Sequence, residues 1–410
     1  MKGSPESNVG QGFSLASGSK PKGLPYKNQS LSGISLKDIA RVFLKVGAIG
    51  FGGGVGMLAL IRQEVVERRR WIDDQELATA VAMGQMLPGP FVSNYAEYIG
   101  YRLCGLKGMV VAVAALLIPG FVLMCLLGFL YFRYGGVPVV GKIFAGIQPV
   151  VVGILAGATW SIGRANIKSW RSGLIGLVAA VALFLRGDVL LVVLGCGFLG
   201  IVFSGVWHSN KPGGTTLGIL PLPLFFAAQN AAPALPALLQ KAGELALVFF
   251  KMGTVIFGGG FAAIPFLQHE VVELRSWLTA KEFIDAVALG QLTPGPVAIM
   301  ATFIGYRVLG IPGALIATLG TFLPSGLMLL GLIHGYEKFK TSPLIQAFLA
   351  GVLPAVCGML LVSTLFIARN ALTGILPGLM AAFALILLLR FRIEPFYLIL
   401  GGAVLGLTLP

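Results

Sequence analysis

The sequence Lys45-Val-Gly-Ala-Ile-Gly-Phe-Gly-Gly-Gly54 returns 206 residues later as Lys251-Met-Gly-Thr-Val-Ile-Phe-Gly-Gly-Gly260. Around it, Val42–Pro90 and Val248–Pro296 align without a gap and are identical at 23 of 49 positions. Both copies end on Gly-Gln-x-x-Pro-Gly-Pro. A long internal repeat is the first feature to interpret, and this one indicates a duplicated module. Duplicated modules with helix-breaking clusters inside apolar sequence are typical of membrane transporters.

The composition indicates a protein whose solvent is largely lipid. Of the 410 residues, 56% are hydrophobic and only 11% are charged, and the mean hydropathy is +0.89. Soluble domains carry roughly 25% charged residues. Apolar runs long enough to cross a bilayer include Met109–Phe132, Val139–Ile162, Ala314–Ile333 and Leu344–Ile367. We therefore predict an all-α polytopic membrane protein with about 10–13 membrane segments, some of them broken or re-entrant.

The repeat divides the chain into four parts. We predict a disordered N-terminal tail over 1–35, a first transporter repeat over 36–206, a linker over 207–240 and a second repeat over 241–410. Each repeat ends in a shorter apolar hairpin, at Gly173–Val206 and Thr373–Leu409. The first hairpin is expected to turn at 186–188 and the second near 390–394, where charged residues interrupt the apolar sequence.

Charges in the loops suggest that the two repeats are inverted. The loop after the first glycine triplet holds four arginines, whereas its counterpart holds only Arg275 and Lys281. Positively charged loops stay in the cytoplasm, so equivalent loops with unequal charge are expected on opposite sides of the membrane. The net charge of +14 is ascribed to this orientation rather than to a nucleic-acid partner.

The helix breaks are the candidate substrate site. Glycine triplets and Pro-Gly-Pro disfavour helix, and unwound backbone at membrane depth is tolerated only where it is buried or lines a cavity. Free N–H groups and the positive end of the helix dipole at each restart favour an anion, although small residues also serve close helix packing. The predicted substrate-binding residues at the breaks are Gly52, Gly53, Gly54, Gln85, Pro88, Gly89, Pro90, Ser93, Asn94, Gly258, Gly259, Gly260, Gln291, Thr293, Pro294, Gly295 and Pro296.

Four basic residues recur in matching positions and are added to the predicted substrate site. Lys45 and Lys251 precede the glycine triplets, and Arg102 and Arg307 follow a Gly-Tyr pair after Pro-Gly-Pro. A guanidinium offers a fixed fork of donors that suits an oxyanion. The alternative is that these long side chains anchor at the lipid headgroups.

Three glutamates are candidates for proton coupling or gating. Glu97 lies inside a spanning segment, where an ionisable residue is usually functional, and the alternative is an ion pair with Arg102. Glu64 and Glu270 open the repeated Glu-Val-Val-Glu sequence. Their alternative role is an ion pair with neighbouring arginines.

Other classes of protein fit the sequence less well. The four cysteines and three histidines are scattered, so neither a disulfide framework, a metal site nor a cofactor is expected. There is no Walker motif for ATP hydrolysis. An intramembrane phosphatase would need arginines close to the Pro-Gly-Pro loops, whereas none occurs before Arg102 or Arg307. A channel stays open as an alternative, and so does a homodimer.

The combination of duplicated Phe-Gly-Gly-Gly, Gln-x-x-Pro-Gly-Pro and Gly-Tyr-Arg blocks resembles the chromate ion transporter family in its long, two-domain form. The resemblance covers about residues 36–409. It implies a multi-pass protein of the cell membrane that exports chromate, confers chromate resistance and uses the proton gradient. Sulfate, which has the same shape and charge, is the natural competitor. The implied partners are the small oxyanion and the lipid bilayer.

Overall fold

The computed structural model describes residues 34–51, 53–204, 237–257, 259–333 and 342–408, and these ranges contain helices and no strand. The helices of the first half are α1 Leu36–Ile49, α2 Gly53–Arg62, α3 Asp74–Met86, α4 Phe91–Tyr134, α5 Pro138–Asn166, α6 Trp170–Phe184 and α7 Val189–Ser204. Those of the second half are α8 Ala237–Val255, α9 Ala263–Leu267, α10 Ala280–Leu292, α11 Met300–Ile333, α12 Pro343–Ala371, α13 Ile375–Phe391 and α14 Pro395–Thr408. Single π-helical segments, Gln63–Arg68 and Gln268–Leu274, follow α2 and α9.

The predicted polytopic helical fold is confirmed. Within the described ranges, four helical segments are long and apolar enough to cross a membrane: α4, α5, α12 and the segment Val297–Ile333 that contains α11. They include the four apolar runs that the sequence singles out. The shorter apolar helices α6, α7, α13 and α14 form the terminal hairpins of the two halves. Most of the predicted tail and linker, residues 1–33 and 205–236, lies outside the described residues.

The terminal hairpins turn where charged residues interrupt the apolar sequence, as predicted. Between α6 and α7 the chain reverses through Arg186, whose φ is 62°. Between α13 and α14 it reverses through Arg392, which ends α13 in the left-handed conformation with φ 55°. Non-glycine residues adopt this conformation mainly in turns, so each arginine marks a tight connection between two antiparallel helices.

Helices α4 and α11 are each folded back on themselves. In α4 the backbone leaves helical geometry at Cys104 and at Gly105, whose φ is 62°. A Cβ atom added at Gly100 would lie 2.4 Å from the carbonyl oxygen of Gly108, although residues eight apart in a straight helix are about 12 Å apart. The equivalent fold occurs at Gly310, with φ 62°. Helix α4 is therefore a hairpin with a short arm, 91–103, and a long arm, 106–134. Helix α11 is likewise a hairpin with a short arm, 300–308, and a long arm, 311–333.

The short arm of α4 also pairs with α3 to make a re-entrant hairpin. Near its tip, the Asn94 side-chain amide donates to the carbonyl oxygen of Gly84 over 3.1 Å. At its open end, Arg102 forms an ion pair with Glu76. These two contacts require antiparallel helices, so the chain enters along α3, turns at Pro-Gly-Pro and returns to the side from which it came.

The same re-entrant hairpin is built by α10 and the short arm of α11. Arg307 lies 3.4 Å from Glu282 at the open end, and a Cβ atom at Gly290 would lie 3.1 Å from Cβ of Met300 near the tip. The re-entrant segments predicted from the two Pro-Gly-Pro clusters are therefore present in both halves.

The terminal hairpins are exchanged between the halves. Helix α5 of the first half packs against α13 and α14, and α12 of the second half packs against α6 and α7. Glycines line both interfaces: a Cβ atom at Gly146 would lie 2.1 Å from the Gly402 carbonyl oxygen, and one at Gly358 would lie 1.9 Å from that of Gly176. Such small residues let helix backbones approach closely within a membrane. Each half therefore completes the other.

Replacing Gly358 by leucine should disrupt the exchanged interface. The new side chain would meet the backbone of α6, and overpacking of this kind costs about 1–3 kcal/mol or more. We expect Gly358→Leu to unfold at a lower temperature in detergent than the unmodified protein. Gly195→Leu on α7 is the matched control, because nothing lies within 4 Å of a Cβ atom there. Equal melting of the two variants would contradict the close packing of α12 on α6.

Candidate functional site

The four helix breaks are joined by two reciprocal hydrogen bonds. The N–H of Gly89 donates to the carbonyl oxygen of Ile256 over 2.6 Å, and the N–H of Gly295 donates to that of Gly50 over 2.9 Å. Gly50 and Ile256 are equivalent residues that directly precede Phe-Gly-Gly-Gly in the two halves. Each Pro-Gly-Pro tip is thus bound to the glycine break of the other half, and the structure brings the predicted breaks together.

The glycines at the tips are required by their backbone conformation. Gly89 has φ +111° and Gly295 has φ +115°, values that residues with a side chain rarely adopt. A Cβ atom at Gly89 would also lie 2.7 Å from Cβ of Ser325 in the other half. Because each glycine stands between two prolines, its N–H is the single donor of the Pro-Gly-Pro sequence. That donor is already used in the bond between the halves.

The glycine breaks contact the starts of the re-entrant return helices. A Cβ atom at Gly259 would lie 3.6 Å from the ring of Phe91, and one at Gly260 would lie 2.7 Å from Cβ of Val297. Gly54 is exposed on α2, which begins at Gly53. The predicted site residues Gly52 and Gly258 lie outside the described residues.

At the first Pro-Gly-Pro, the unused polar atoms are acceptors. The Ser93 hydroxyl donates to the Pro90 carbonyl oxygen over 2.7 Å, and the side-chain nitrogen of Asn94 is bound to Gly84. Buried atoms without a hydrogen-bond partner are Asn94 Oδ1 and Glu97 Oε2. Gln85 has a partner, since its side chain is hydrogen-bonded to that of Tyr95.

At the second Pro-Gly-Pro, the unused polar atom is a donor. The Thr293 hydroxyl donates to the Leu289 carbonyl oxygen over 2.8 Å, whereas Gln291 Nε2 is buried without a partner. Met300 packs against Gly290 as Tyr95 packs against Gly84. Because a methionine has no hydroxyl, Gln291 lacks the partner that Tyr95 gives to Gln85.

A small cavity lies beside this free amide. Its wall comes from the second tip and from two other elements, and includes Gln291, Thr293, Gly295, Phe51 and Phe396. The rings of Phe51 and Phe396 are 4.6 Å apart between centroids. The cavity therefore combines one amide donor and the start of a helix at Val297 with aromatic groups that restrict water.

The basic residues predicted for the substrate site lie elsewhere. Arg102 and Arg307 pair with Glu76 and Glu282 at the open ends of the re-entrant hairpins. From Pro90 to Arg102 is twelve residues, or about 18 Å along a helix. The structure therefore does not bring these arginines to the breaks.

Glu64, in the π-helical segment after α2, forms ion pairs with several basic side chains. Lys45 Nζ and Arg68 both lie 2.8 Å from its carboxylate. The hydrogen bond from Lys45 lowers the pKa of Glu64, against the opposing effect of burial. Glu64 therefore stays ionised at neutral pH and neutralises Lys45. In the second half Glu270 pairs with Arg275, and Lys251 is half-buried on α8.

Asp285 is a buried acid that the sequence analysis missed. It is 0% exposed on α10 and accepts hydrogen bonds from the Tyr131 hydroxyl over 2.7 Å and from Gln148 over 2.8 Å. Both partners belong to the first half, so this carboxylate joins the two halves. A signal was present in the sequence, because Asp285 stands where the first copy has Thr79.

Comparison with known proteins identifies the family. The sequence model of the chromate transporter family matches residues 37–201 and, a second time, residues 243–407. The chain belongs to the chromate transporter family. It is a multi-pass protein of the cell membrane, and family membership supports transport of chromate across that membrane.

Named relatives agree with this assignment. The chain is 32% identical to the "Chromate transport protein" of Cupriavidus metallidurans over 387 residues, which cover 91% of this chain and 93% of the relative. It is 32% identical to the "Probable chromate transport protein" of Synechococcus elongatus over 357 residues, covering 86% and 89% of the two chains. The "Uncharacterized transporter YwrA" of Bacillus subtilis is 33% identical over 166 residues, 40% of this chain and 93% of the relative. No solved structure matches the chain.

Removing the Asp285 carboxylate should destabilise the contact between the halves. Asp285→Ala leaves the Tyr131 hydroxyl and the Gln148 amide without their acceptor, and each buried unpaired group costs about 1–3 kcal/mol. We expect a lower unfolding temperature in detergent. Thr79→Ala, at the equivalent position of the first half, is the control, because the Thr79 hydroxyl bonds only within its own helix. A variant Asp285→Ala as stable as the control would show that the network does not join the halves.

Proposed function

We propose that this protein exports chromate across the cell membrane in exchange for protons and thereby confers chromate resistance. Transport of sulfate or another small oxyanion is the alternative, since sulfate has the same charge and tetrahedral shape. The observation that carries the proposal is the free amide of Gln291 beside the second Pro-Gly-Pro, in a member of the chromate transporter family.

The second break offers what a dehydrated oxyanion needs. A buried amide donor without an acceptor is costly, and an anion oxygen in the adjoining cavity would satisfy it. The helix that starts at Val297 adds the free N–H groups and the positive dipole of its first turn. Phe51 and Phe396 on the cavity wall would limit access of water and so strengthen these contacts.

An inverted arrangement of the two repeats is part of the proposal. Gly108, near the start of the α4 long arm, packs on Gly100 beside Arg102. Phe132, near the other end of that arm, lies under Arg307, whose guanidinium carbon is 5.2 Å from the ring centroid. Between residues 105 and 132 a helix rises about 40 Å, more than the bilayer core of about 30 Å. Equivalent arginines at opposite ends of one spanning helix support the inversion.

The buried acids supply candidate groups for coupling and gating. Glu97 lies close to the first break and is the proposed proton carrier, since it is 1% exposed and holds an unpartnered oxygen. Glu64 and Glu270 are proposed as gates at equivalent positions after the glycine breaks. The ion pair of Glu64 with Lys45 links α1 to the segment after α2, so breaking it would free this pair of elements to move. Glu270 pairs with Arg275 at the end of its own π-helical segment.

Transport by the purified protein in liposomes tests the function directly. We expect chromate flux under a pH gradient, with sulfate as a competitor. A hydrogen bond to a charged group contributes about 1.5–3 kcal/mol, so Gln291→Leu should weaken the apparent affinity for chromate by about 10- to 150-fold. Gln85→Leu is the control at the equivalent position, where the amide already has a partner.

Three outcomes of this assay would overturn parts of the proposal. No flux of either oxyanion under a pH gradient or a membrane potential would reject the transporter function. Flux of sulfate without chromate would favour the alternative substrate. Chromate movement only down its own electrochemical gradient, with no accumulation against it under a pH gradient, would indicate a channel.

The inversion is tested with a matched pair of cysteines. Arg70 and Ser276 are equivalent, exposed residues with nearly equal φ angles of 52° and 51°. We expect Arg70→Cys and Ser276→Cys, each in a background without the four native cysteines, to react with a membrane-impermeant thiol reagent from opposite sides of the membrane. Reaction of both from the same side would make the repeats parallel.

A further inference from the structure

Two unpartnered acceptor oxygens lie on one face of the α4 short arm. Asn94 is 0% exposed and Glu97 is 1% exposed, and Asn94 Oδ1 and Glu97 Oε2 have no hydrogen-bond partner. Residues three apart are neighbours on a helix. The orientation of the Asn94 amide is fixed, because its nitrogen donates to the Gly84 carbonyl oxygen and the reversed amide would place two acceptors together.

The second half closes this face with another oxygen and a glycine. The Cβ position of Gly89 is 3.1 Å from Ser325 Oγ and 3.5 Å from Asn94 Oδ1, and the Cβ position of Gly326 is 3.3 Å from Glu97 Oε1. The Ser325 hydroxyl donates its hydrogen bond to the Phe322 carbonyl oxygen over 2.9 Å. Its oxygen therefore has lone pairs left to accept, like Asn94 Oδ1 and the ionised form of Glu97.

Among the described residues of the helices around this group, the basic side chains nearest in the chain pair with other carboxylates. On the neighbouring α1, Lys45 is bound to Glu64. On the short arm itself, Arg102 is bound to Glu76 of α3, and α11 presents Ser325 and Gly326. An ionised carboxylate that is buried without a partner costs several kcal/mol. A cation from solution would remove that cost, whereas an anion would increase it.

The equivalent place in the second half has no such group. Thr302 stands where the first half has Glu97, and its hydroxyl is 2.8 Å from that of Thr318. Ile299 stands in the place of Asn94, and Gly120 in the place of Ser325. Of the two breaks, as far as the described residues show, the first therefore has the free acceptors Asn94 Oδ1 and Glu97 Oε2, and the second has the free donor of Gln291.

We propose that Asn94, Glu97 and Ser325 form a binding site for one monovalent cation, a proton or a sodium ion, which couples to the oxyanion at the second break. This inference rests on the proposed function and divides the two ions between the two breaks. Because Ser325 belongs to the second half, the cation binds across the contact between the halves. Its arrival draws the halves together next to the Gly89 to Ile256 hydrogen bond.

The first test is cation binding by the full-length protein in detergent. Proton uptake is followed with a pH dye, and binding of radioactive sodium is measured at alkaline pH. We expect one of the two cations to bind the unmodified protein, and Glu97→Gln to abolish that binding. Ser325→Ala should weaken it by about tenfold, the scale reported for groups that support bound metal ions. Thr302→Val, at the equivalent position of the other half, should bind as the unmodified protein does.

The second test separates coupling from transport in liposomes. We expect Glu97→Gln to retain exchange of chromate for chromate and to lose accumulation driven by the cation gradient. A proton gradient alone and a sodium gradient alone form separate arms and identify the cation. Thr302→Val should accumulate chromate normally.

The outcomes distinguish failure of the site from failure of the function. Cation binding that depends on Glu97, without flux of any oxyanion, would keep the site and reject the transporter. Gradient-driven chromate accumulation that is unchanged in Glu97→Gln and Ser325→Ala would keep the transporter and reject the site. If Glu97→Gln does not fold, the unmodified protein and Ser325→Ala still test the site. The proposal is overturned if the unmodified protein binds neither protons nor sodium. It is also overturned if Ser325→Ala binds the cation with the same affinity as the unmodified protein.

Discussion

The two backbone hydrogen bonds between the Pro-Gly-Pro tips and the glycine breaks constrain everything else in this fold. Each break ends a helix among buried residues such as Ile256 and Val297, where an unsatisfied backbone group is costly. Each half depends on the other for one bond at its Pro-Gly-Pro tip: the N–H of Gly89 donates to Ile256, and the N–H of Gly295 donates to Gly50. The exchange of terminal hairpins follows the same logic, because α5 and α12 find their glycine-lined partners only in the other half. The protein is one interleaved body rather than two domains in contact.

The two halves have similar backbones at their breaks, but the polar side chains there differ. The tips have nearly equal φ angles and equivalent hydrogen bonds, yet the polar atoms left over differ in kind. Tyr95 gives Gln85 a partner, and Met300 in its place leaves Gln291 with a free donor. Glu97 keeps an unused acceptor, whereas its counterpart Thr302 is bound to Thr318. Duplication thus supplied two similar breaks, and we propose that a few side-chain differences suit them to ions of opposite charge.

The sequence was a good guide to features set by local composition. The apolar runs became the long helices, and the breaks and the turns of the terminal hairpins occur where glycine, proline and charged residues predicted them. Features set by contacts between residues distant in the sequence could not be predicted from it. Arg102 and Lys107 flank Gly105 and mark an interruption of the apolar sequence, but the fold-back of the helix at Gly105 and Gly310 depends on close contacts such as that of Gly100 with Gly108. Which glutamine amide is free at a break depends on the side chain nine or ten residues later, Met300 or Tyr95. The role of Asp285 depends on Tyr131 and Gln148 in the other half.

The exchanged hairpins have a consequence for biosynthesis. Gly146 of α5 meets Gly402 of α14, a separation of 402 − 146 = 256 residues. At synthesis rates of about 5–20 residues per second, α5 waits about 10–50 s for its partner. During that interval its small-residue face is covered by lipid or by the insertion machinery, which α14 displaces when it emerges. The synthesis of α14, rather than that of α5, therefore decides when this interface forms.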